Sequence, residues 1–285
     1  MGLEVCVLAS GSSGNCIYVG NDETRILIDA GISCRVICSR LADIGVPPES
    51  IQALCVTHEH TDHHSGVAVL YRKLGLSLFG NAGTVEALSR SAKHCGLPWN
   101  VFTTGQSFRI GNLVVDPFRI PHDSYEPVAF VVSDENCRVG ICTDLGVATD
   151  LVCARLRECD VLIIETNHDE DLVLASARPW SLKQRIIGNK GHLSNRRAAE
   201  LLCEIASDRL QAVYLAHLSR DCNRPDLALE TVRRQLVRAG FGHVDIQITH
   251  ANQASKLWRY QSSIRGDNPD VCIASEAGVH LELAL

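Results

Sequence analysis

No long apolar run interrupts this chain of 285 residues, and no basic leader with a short apolar core opens it. Neither a transmembrane anchor nor a secretory signal is therefore expected. Position 6 is Cys6, where an N-myristoylation signal carries Ser or Thr. Internal repeats and low-complexity tracts are also missing. The 13 cysteines contain no Cys-x-x-Cys pair, and their odd number argues against complete internal pairing. Many stand where a small hydrophobe would fit, as at Cys6, Cys55, Cys142, Cys153 and Cys203. The expectation is a cytoplasmic protein with reduced thiols.

One absence is local. Between Asp171 and Glu200 no acidic residue occurs, whereas Arg178, Lys183, Arg185, Lys190, Arg196 and Arg197 all do. The net charge of −6 does not favour nucleic acid, but this stretch offers positive charge for a phosphate backbone. The plainer reading of the same stretch is a solvated helix face.

What is present is a core of ample size, since 46% of the residues are apolar. Strand-like runs alternate with helical periodicity over 33–44, 66–74, 195–206 and 225–239. That alternation suits one large α/β domain with helices on both outer faces of a sheet sandwich.

The densest chemistry lies in Thr57-His58-Glu59-His60-Thr61-Asp62-His63-His64, which follows the short apolar stretch Ala53-Leu54-Cys55-Val56. Imidazoles and a carboxylate on a strand-to-helix loop can converge on one point. With no cysteine among them they suit Zn²⁺, Mn²⁺ or Fe²⁺. A polar helix start, capped by Thr57 or Asp62, is the bland alternative.

The order His-x-His-x-Asp-His after a strand resembles the ligand motif of the metallo-β-lactamase superfamily. The resemblance implies a four-layer αββα sandwich and further ligands at strand ends. Candidates stand in the implied order: Asp29 after Arg25-Ile26-Leu27-Ile28, His122 before Val128-Ala129-Phe130, Asp144 after Ile141-Cys142, and His217 after Tyr214-Leu215-Ala216. It assigns His58, His60 and His122 to one divalent ion and Asp62, His63 and His217 to a second, with Asp144 between them. Such paired ions lie about 3.5–4 Å apart. Asp29 is expected to support the ligand loop, and His64 has no ligand role.

The stretches Leu8-Ala9-Ser10-Gly11-Ser12-Ser13-Gly14-Asn15, Pro121-His122-Asp123, Glu165-Thr166-Asn167-His168-Asp169, Lys190-Gly191-His192-Leu193-Ser194 and Ala216-His217-Leu218-Ser219 are similar to the YycJ/WalJ group of this superfamily, related to RNase Z and PhnP. That similarity runs over about residues 3–260 and implies 5′ to 3′ exonuclease action on double-stranded DNA. Residues 261–285 fall beyond it and are expected to form a C-terminal appendage.

Ser194 is a plausible N-cap, with Ala198, Leu201, Leu202 and Ile205 following at helical spacing. His192 thus falls in the loop just before a helix. It resembles the loop histidine of RNase Z that protonates a leaving oxygen, and Glu165 at a strand end would orient it. The alternative is that His192 braces the turn. His168 and Asp169 either line the cleft or start a helix. Lys183, Arg185, Lys190 and Arg220 are the candidates for substrate phosphates, with Arg224 a further one, and Asn15 is expected to face the cleft. The resulting expectation is a phosphodiester hydrolase with two ions, Zn²⁺ foremost, in which Asp62 orients the attacking water and DNA is the favoured substrate. A small-molecule phosphodiesterase or β-lactamase on the same site competes with this reading, as does a non-catalytic regulatory module.

Overall fold

The computed structural model describes residues 2–260, and the expected appendage at 261–285 lies outside them. The first sheet contains β1 (Glu4–Ala9), β2 (Cys16–Gly20), β3 (Arg25–Ile28), β4 (Ala53–Cys55), β5 (Ser77–Asn81) and β6 (Trp99–Phe102) in sequence order. The second contains β7 (Phe108–Ile110), β8 (Leu113–Arg119), β9 (Val128–Ser133), β10 (Arg138–Cys142), β11 (Val161–Glu165), β12 (Ala212–Ala216) and β13 (Asp245–Ile248), also in order. The last strand, β14 (Trp258–Arg259), returns to pair antiparallel with β1.

Each sheet begins as an antiparallel meander and continues as parallel strands, with the change at β3/β4 and at β10/β11. The two halves thus share a topology although the sequence shows no repeat.

Helices α1 (Cys34–Asp43), α2 (Thr61–His64), α3 (Val67–Leu74) and α4 (Ala82–Ser89) accompany the first sheet. The second is followed by α5 (Asp150–Leu156), α6 (Glu170–Ala175), α7 (Trp180–Ile187), α8 (Asn195–Ile205) and α9 (Pro225–Arg238). Their ends follow local chemistry. Ser33 and Ser194 accept from the amides of Val36 and Arg197 to cap α1 and α8. Gly75, at φ 67°, closes α3 in the left-handed region.

Alternate side chains of the strands enter different cores. In β11, Val161 and Ile163 point between the sheets, whereas Leu162 and Ile164 pack on the outer layer with Val152, Leu156, Leu202, Ala228 and Val232 of α5, α8 and α9. On the other side Leu27 and Leu54 meet Ile37 and Leu41 of α1 and Leu70 of α3. Burial on both faces explains why the parallel strands read as continuous apolar runs. The result is the four-layer αββα sandwich. Ile163 is fully buried at its centre, and its replacement by Ala would cost about 2–5 kcal/mol. Such a scaffold holds the carboxyl ends of β3, β4, β10, β11 and β12 rigidly along one edge.

Candidate metal centre and active site

All seven residues expected to bind metal meet at that edge. Asp29 directly follows β3, and the histidine-rich run follows β4. His122 lies between β8 and β9, Asp144 follows β10, and His217 follows β12. The run is not wholly a loop, however. The amide of His63 donates to the carbonyl of His60 at 2.9 Å, winding Thr61–His64 into the single turn α2. Asp62 and His63 therefore project from a helix, and Thr57 and Asp62 are not its caps.

The donor atoms form two overlapping groups. Nδ1 of His60 lies 3.1 Å from Nε2 of His58 and 3.3 Å from Nε2 of His122. In the second group, Asp62 Oδ2 is 3.4 Å from His63 Nε2 and 3.5 Å from His217 Nε2. Asp144 stands between them, with Oδ2 3.0 Å from His63 Nε2 and Oδ1 3.7 Å from His122 Nε2. A tetrahedral zinc ion with bonds of about 2.0–2.1 Å spaces its ligands at roughly 3.3–3.4 Å, so both groups fit a divalent ion. The buried His217 Nε2 has no hydrogen-bond partner, and Asp144 Oδ2 takes no hydrogen bond despite the nearby imidazole. Buried polar atoms left in this state call for an ion.

The other ends of the imidazoles are already held. His63 Nδ1 donates to Asp29 Oδ2 at 2.7 Å, His217 Nδ1 to Glu165 Oε1 at 2.7 Å, and His122 Nδ1 to the Gly191 carbonyl at 3.1 Å. His58 Nδ1 is 2.9 Å from the Thr57 hydroxyl. In each ring this turns Nε2 toward the cluster and favours the tautomer a metal requires once the Nε2 proton has left. Asp29 also accepts from the Thr57 amide and hydroxyl, so it positions both the ligand loop and one ligand. The role of the Gly191 carbonyl is invisible in the sequence, because a backbone acceptor has no residue signature.

The backbone carries strain here. Asp29, Asp144 and His217 have φ of 61°, 57° and 55°. Such conformations cost non-glycine residues about 1–3 kcal/mol each and persist where a site demands them. Gly31 serves the same loop, since a Cβ there would sit 1.5 Å from the Asp62 carbonyl oxygen.

Without ions the cluster balances its own charge. Burial alone would lower His63 and His217, but Asp29 and Asp144 outweigh it at His63, and Asp144, Asp62 and Glu165 outweigh it at His217, holding both well above the ordinary imidazole range. Burial would raise Asp62 and Asp144. Their imidazole neighbours prevail and hold both far below the usual carboxylate range. Burial keeps His58 and His122 low and uncharged.

Next to this cluster, His192 Nδ1 donates to Glu165 Oε1 at 2.9 Å. Glu165 is fully buried, and its Oε2 also accepts from the amides of Leu145 and Leu193. Burial would raise this carboxyl, but the two imidazoles hold it down at about 2. His192 moves upward, because Glu165 outweighs burial. Its ring forms one wall of a cavity of about 150 Å³ together with Ser12, Asp123, Arg178 and Arg185.

The substrate candidates divide. Arg185 lines that cavity while bonded to Asp123 at 2.5 Å. Arg220 reaches the Ser13 hydroxyl at 3.0 Å, and Arg224 is the N-cap residue of α9. Lys190 is exposed, and Lys183 is tied to the Leu174 carbonyl at 2.5 Å. Much of the acid-free stretch is compensated from elsewhere, with Arg178 on Asp221 and Arg196 on Glu170 and Glu200. Asn15 stands at the metal cluster itself, its Nδ2 3.1 Å from His63 Nε2. It is buried, accepts from the Gly11 amide and donates to Asp62 Oδ2 at 3.2 Å, so it positions a ligand. Asp169 caps α6, His168 is buried beside it, and His64 packs edge-on against His94.

Residues 24–217 match the family model described as the beta-lactamase superfamily domain. The chain belongs to the metallo-β-lactamase superfamily. Exodeoxyribonuclease WalJ of Streptococcus pneumoniae is 35% identical to it over 246 residues, 85% of this chain and 91% of that one. Exodeoxyribonuclease YycJ of Bacillus anthracis is 34% identical over 243 residues, 85% and 92% of the two. The crystal structure of the metallo-β-lactamase fold protein YhfI from Bacillus subtilis matches with a TM-score of 0.68 at 16% identity, over 91% of this chain and 100% of that one. At that identity the likeness is one of fold. The superfamily match together with the near full-length exodeoxyribonuclease relatives makes this chain a hydrolase, and its histidine and aspartate cluster fits a divalent metal site. Among the described residues no helix is long and apolar enough to cross a membrane.

Proposed function

We propose that this chain is a two-ion phosphodiesterase acting as a 5′ to 3′ exonuclease on DNA, with Zn²⁺ the favoured ion. The carrying observation is His192, fixed by a buried carboxylate at the edge of the candidate metal cluster and open on its other side to a cavity lined by arginine. The naming of WalJ and YycJ as exodeoxyribonucleases supports the substrate.

When bound, the ions would acidify a water and neutralise charge on nonbridging phosphate oxygens. His58, His60 and His122 would hold one, Asp62, His63 and His217 the other, and Asp144 both. The chain's own residues supply the remaining steps. Asp62 Oδ2, steadied by Asn15, accepts a hydrogen bond from the attacking water and orients it. His192 keeps its Nδ1 proton on Glu165 and gives the Nε2 proton to the leaving oxygen. Glu165 thereby favours the charged imidazole before the step and keeps its ring in place. Arg178 and Arg185 face the same cavity and meet the substrate's phosphates. Since every cysteine among the described residues is a free thiol, the cytoplasm is the compartment that suits the chain.

Labelled duplex DNA, single-stranded DNA, RNA and a nitrophenyl phosphodiester, each offered with defined metals, test this reading. Duplex DNA should be degraded. Turnover of the small diester or of a β-lactam alone would overturn the nuclease assignment.

A further inference from the structure

His192 is shared by two cavities, and α7 is the wall between them. Leu182, Arg185 and Ile186 of α7 face the cavity of about 150 Å³ already described. Ile187 faces a second one of about 200 Å³, whose wall also holds Leu174, His168, Ser194, Arg197 and the Arg196–Glu170 ion pair. Seven residues before Ile187, and so on the same side of the helix, stands Trp180. Its side chain is 60% exposed, and Leu174 on α6 is 50% exposed. Two large apolar side chains left in water on neighbouring helices beside the candidate active site offer a surface for a flat ligand.

We propose that this side of α7 is a track for an unpaired nucleic-acid strand, with nucleobases stacked on Trp180 and packed against Leu174 and Ile187, and a backbone phosphate on Arg197. The inference rests on the nuclease reading and names the form of substrate that the site receives. Size supports it. About 200 Å³ is below the 300–1,000 Å³ of ordinary ligand pockets, which suits one base rather than a pair. Charge supports it too. Arg196 is engaged by Glu170 and Glu200, whereas among the described residues Arg197 meets no carboxylate within ion-pair distance, and it lines the cavity. Leu174 and Ile187 beside two guanidiniums, of which Arg196 is spent on Glu170 in the same wall, match an unstacked nucleotide, whose bases offer flat faces and whose backbone is anionic. A duplex end must therefore open by at least one pair before its strand can lie along α7.

The test uses the metal-loaded full chain, its Trp180→Ala and Trp180→Phe variants, and 5′-labelled oligonucleotides with intact or abasic residues near the end. Base–aromatic stacking sets the expected scale, a rise in KM of roughly tenfold or more for Trp180→Ala on intact DNA with kcat nearly kept. Trp180→Phe should recover most of the loss. Removing the bases should impose the same penalty on the unaltered chain, and the two penalties should not add. Oligonucleotide should also quench tryptophan fluorescence in the unaltered chain but not in Trp180→Phe, where the partly buried Trp99 and Trp258 remain. Normal KM in Trp180→Ala, or penalties that add, would overturn the track while leaving the nuclease reading intact. No cleavage of any nucleic acid, with a nitrophenyl diester still hydrolysed, would remove both.

Discussion

The Nδ1 proton of His192 rests on Glu165 Oε1 at 2.9 Å. The same oxygen takes Nδ1 of His217 at 2.7 Å, so one buried carboxylate steadies both the proposed acid and a proposed ligand. Loss of either imidazole is therefore felt by the other, and this link shapes what each substitution should show.

His192→Ala should retain its metals and lose about 10²–10⁴-fold in rate, the scale of general acid catalysis. The loss should shrink for a nitrophenyl leaving group, which departs without a proton. The rate of the unaltered chain should fall as pH rises through the raised pKa of His192, because only its charged form can donate. Comparison of pH–rate profiles checks this, and an alkaline limb that survives His192→Ala assigns it to another group.

Metal uptake should release protons. His63 and His217 are held charged in the ion-free chain, so their Nε2 protons must leave before a metal can bind. Affinity should then fall as pH is lowered. Calorimetric titration in buffers of different ionisation heat would count the protons, and a value near zero at neutral pH would contradict the charged state.

Asp29→Asn should weaken metal binding by about 10–100-fold, the usual effect of disturbing a group that orients a ligand. Asp29 holds His63 Nδ1 and the Thr57 amide together, and an amide serves only part of that role. Competition with a metal-sensitive dye reads the change. Asn15→Ala should act in the same direction through Asp62.

Salt should suppress hydrolysis of long DNA as counterion release is lost. Replacing Arg178 and Arg185 by Ala should flatten that dependence by about one unit of slope per phosphate contact removed. Replacing Lys183 alone should matter less, since Arg178 and Arg185 line the cavity beside His192 and Lys183 does not. Rates measured across a salt series would separate the two cases.

The gathering of these residues at one edge was legible in two ways: His58 to His63 stand out by density alone, whereas Asp144 and His217, each a weak signal taken singly, are picked out only by the order that the family resemblance implies. The contact that Asn15 makes with Asp62 is not legible in the sequence, because a Ser-Gly-rich loop has no periodicity to show which way a side chain turns. Its partner Asp62 is far along the chain, joined to it only by the fold. The basic stretch around Arg185 looked uncompensated for the same reason, since Asp123 and Asp221 approach from other segments. Helix α2 escaped notice because one turn is too short to set up a hydrophobic period.

The central claim is that two ions joined by Asp144 serve phosphodiester cleavage from a DNA end. Asp144→Ala and the unaltered chain should be compared by elemental analysis after Zn²⁺ or Mn²⁺ reconstitution, alongside hydrolysis of a duplex labelled at one 5′ end. The account predicts two ions and early release of labelled mononucleotide from the unaltered chain, and fewer ions with no release from the variant. Fewer than two ions at saturation, unaffected by Asp144→Ala, or a duplex left intact by the fully loaded chain, would contradict it.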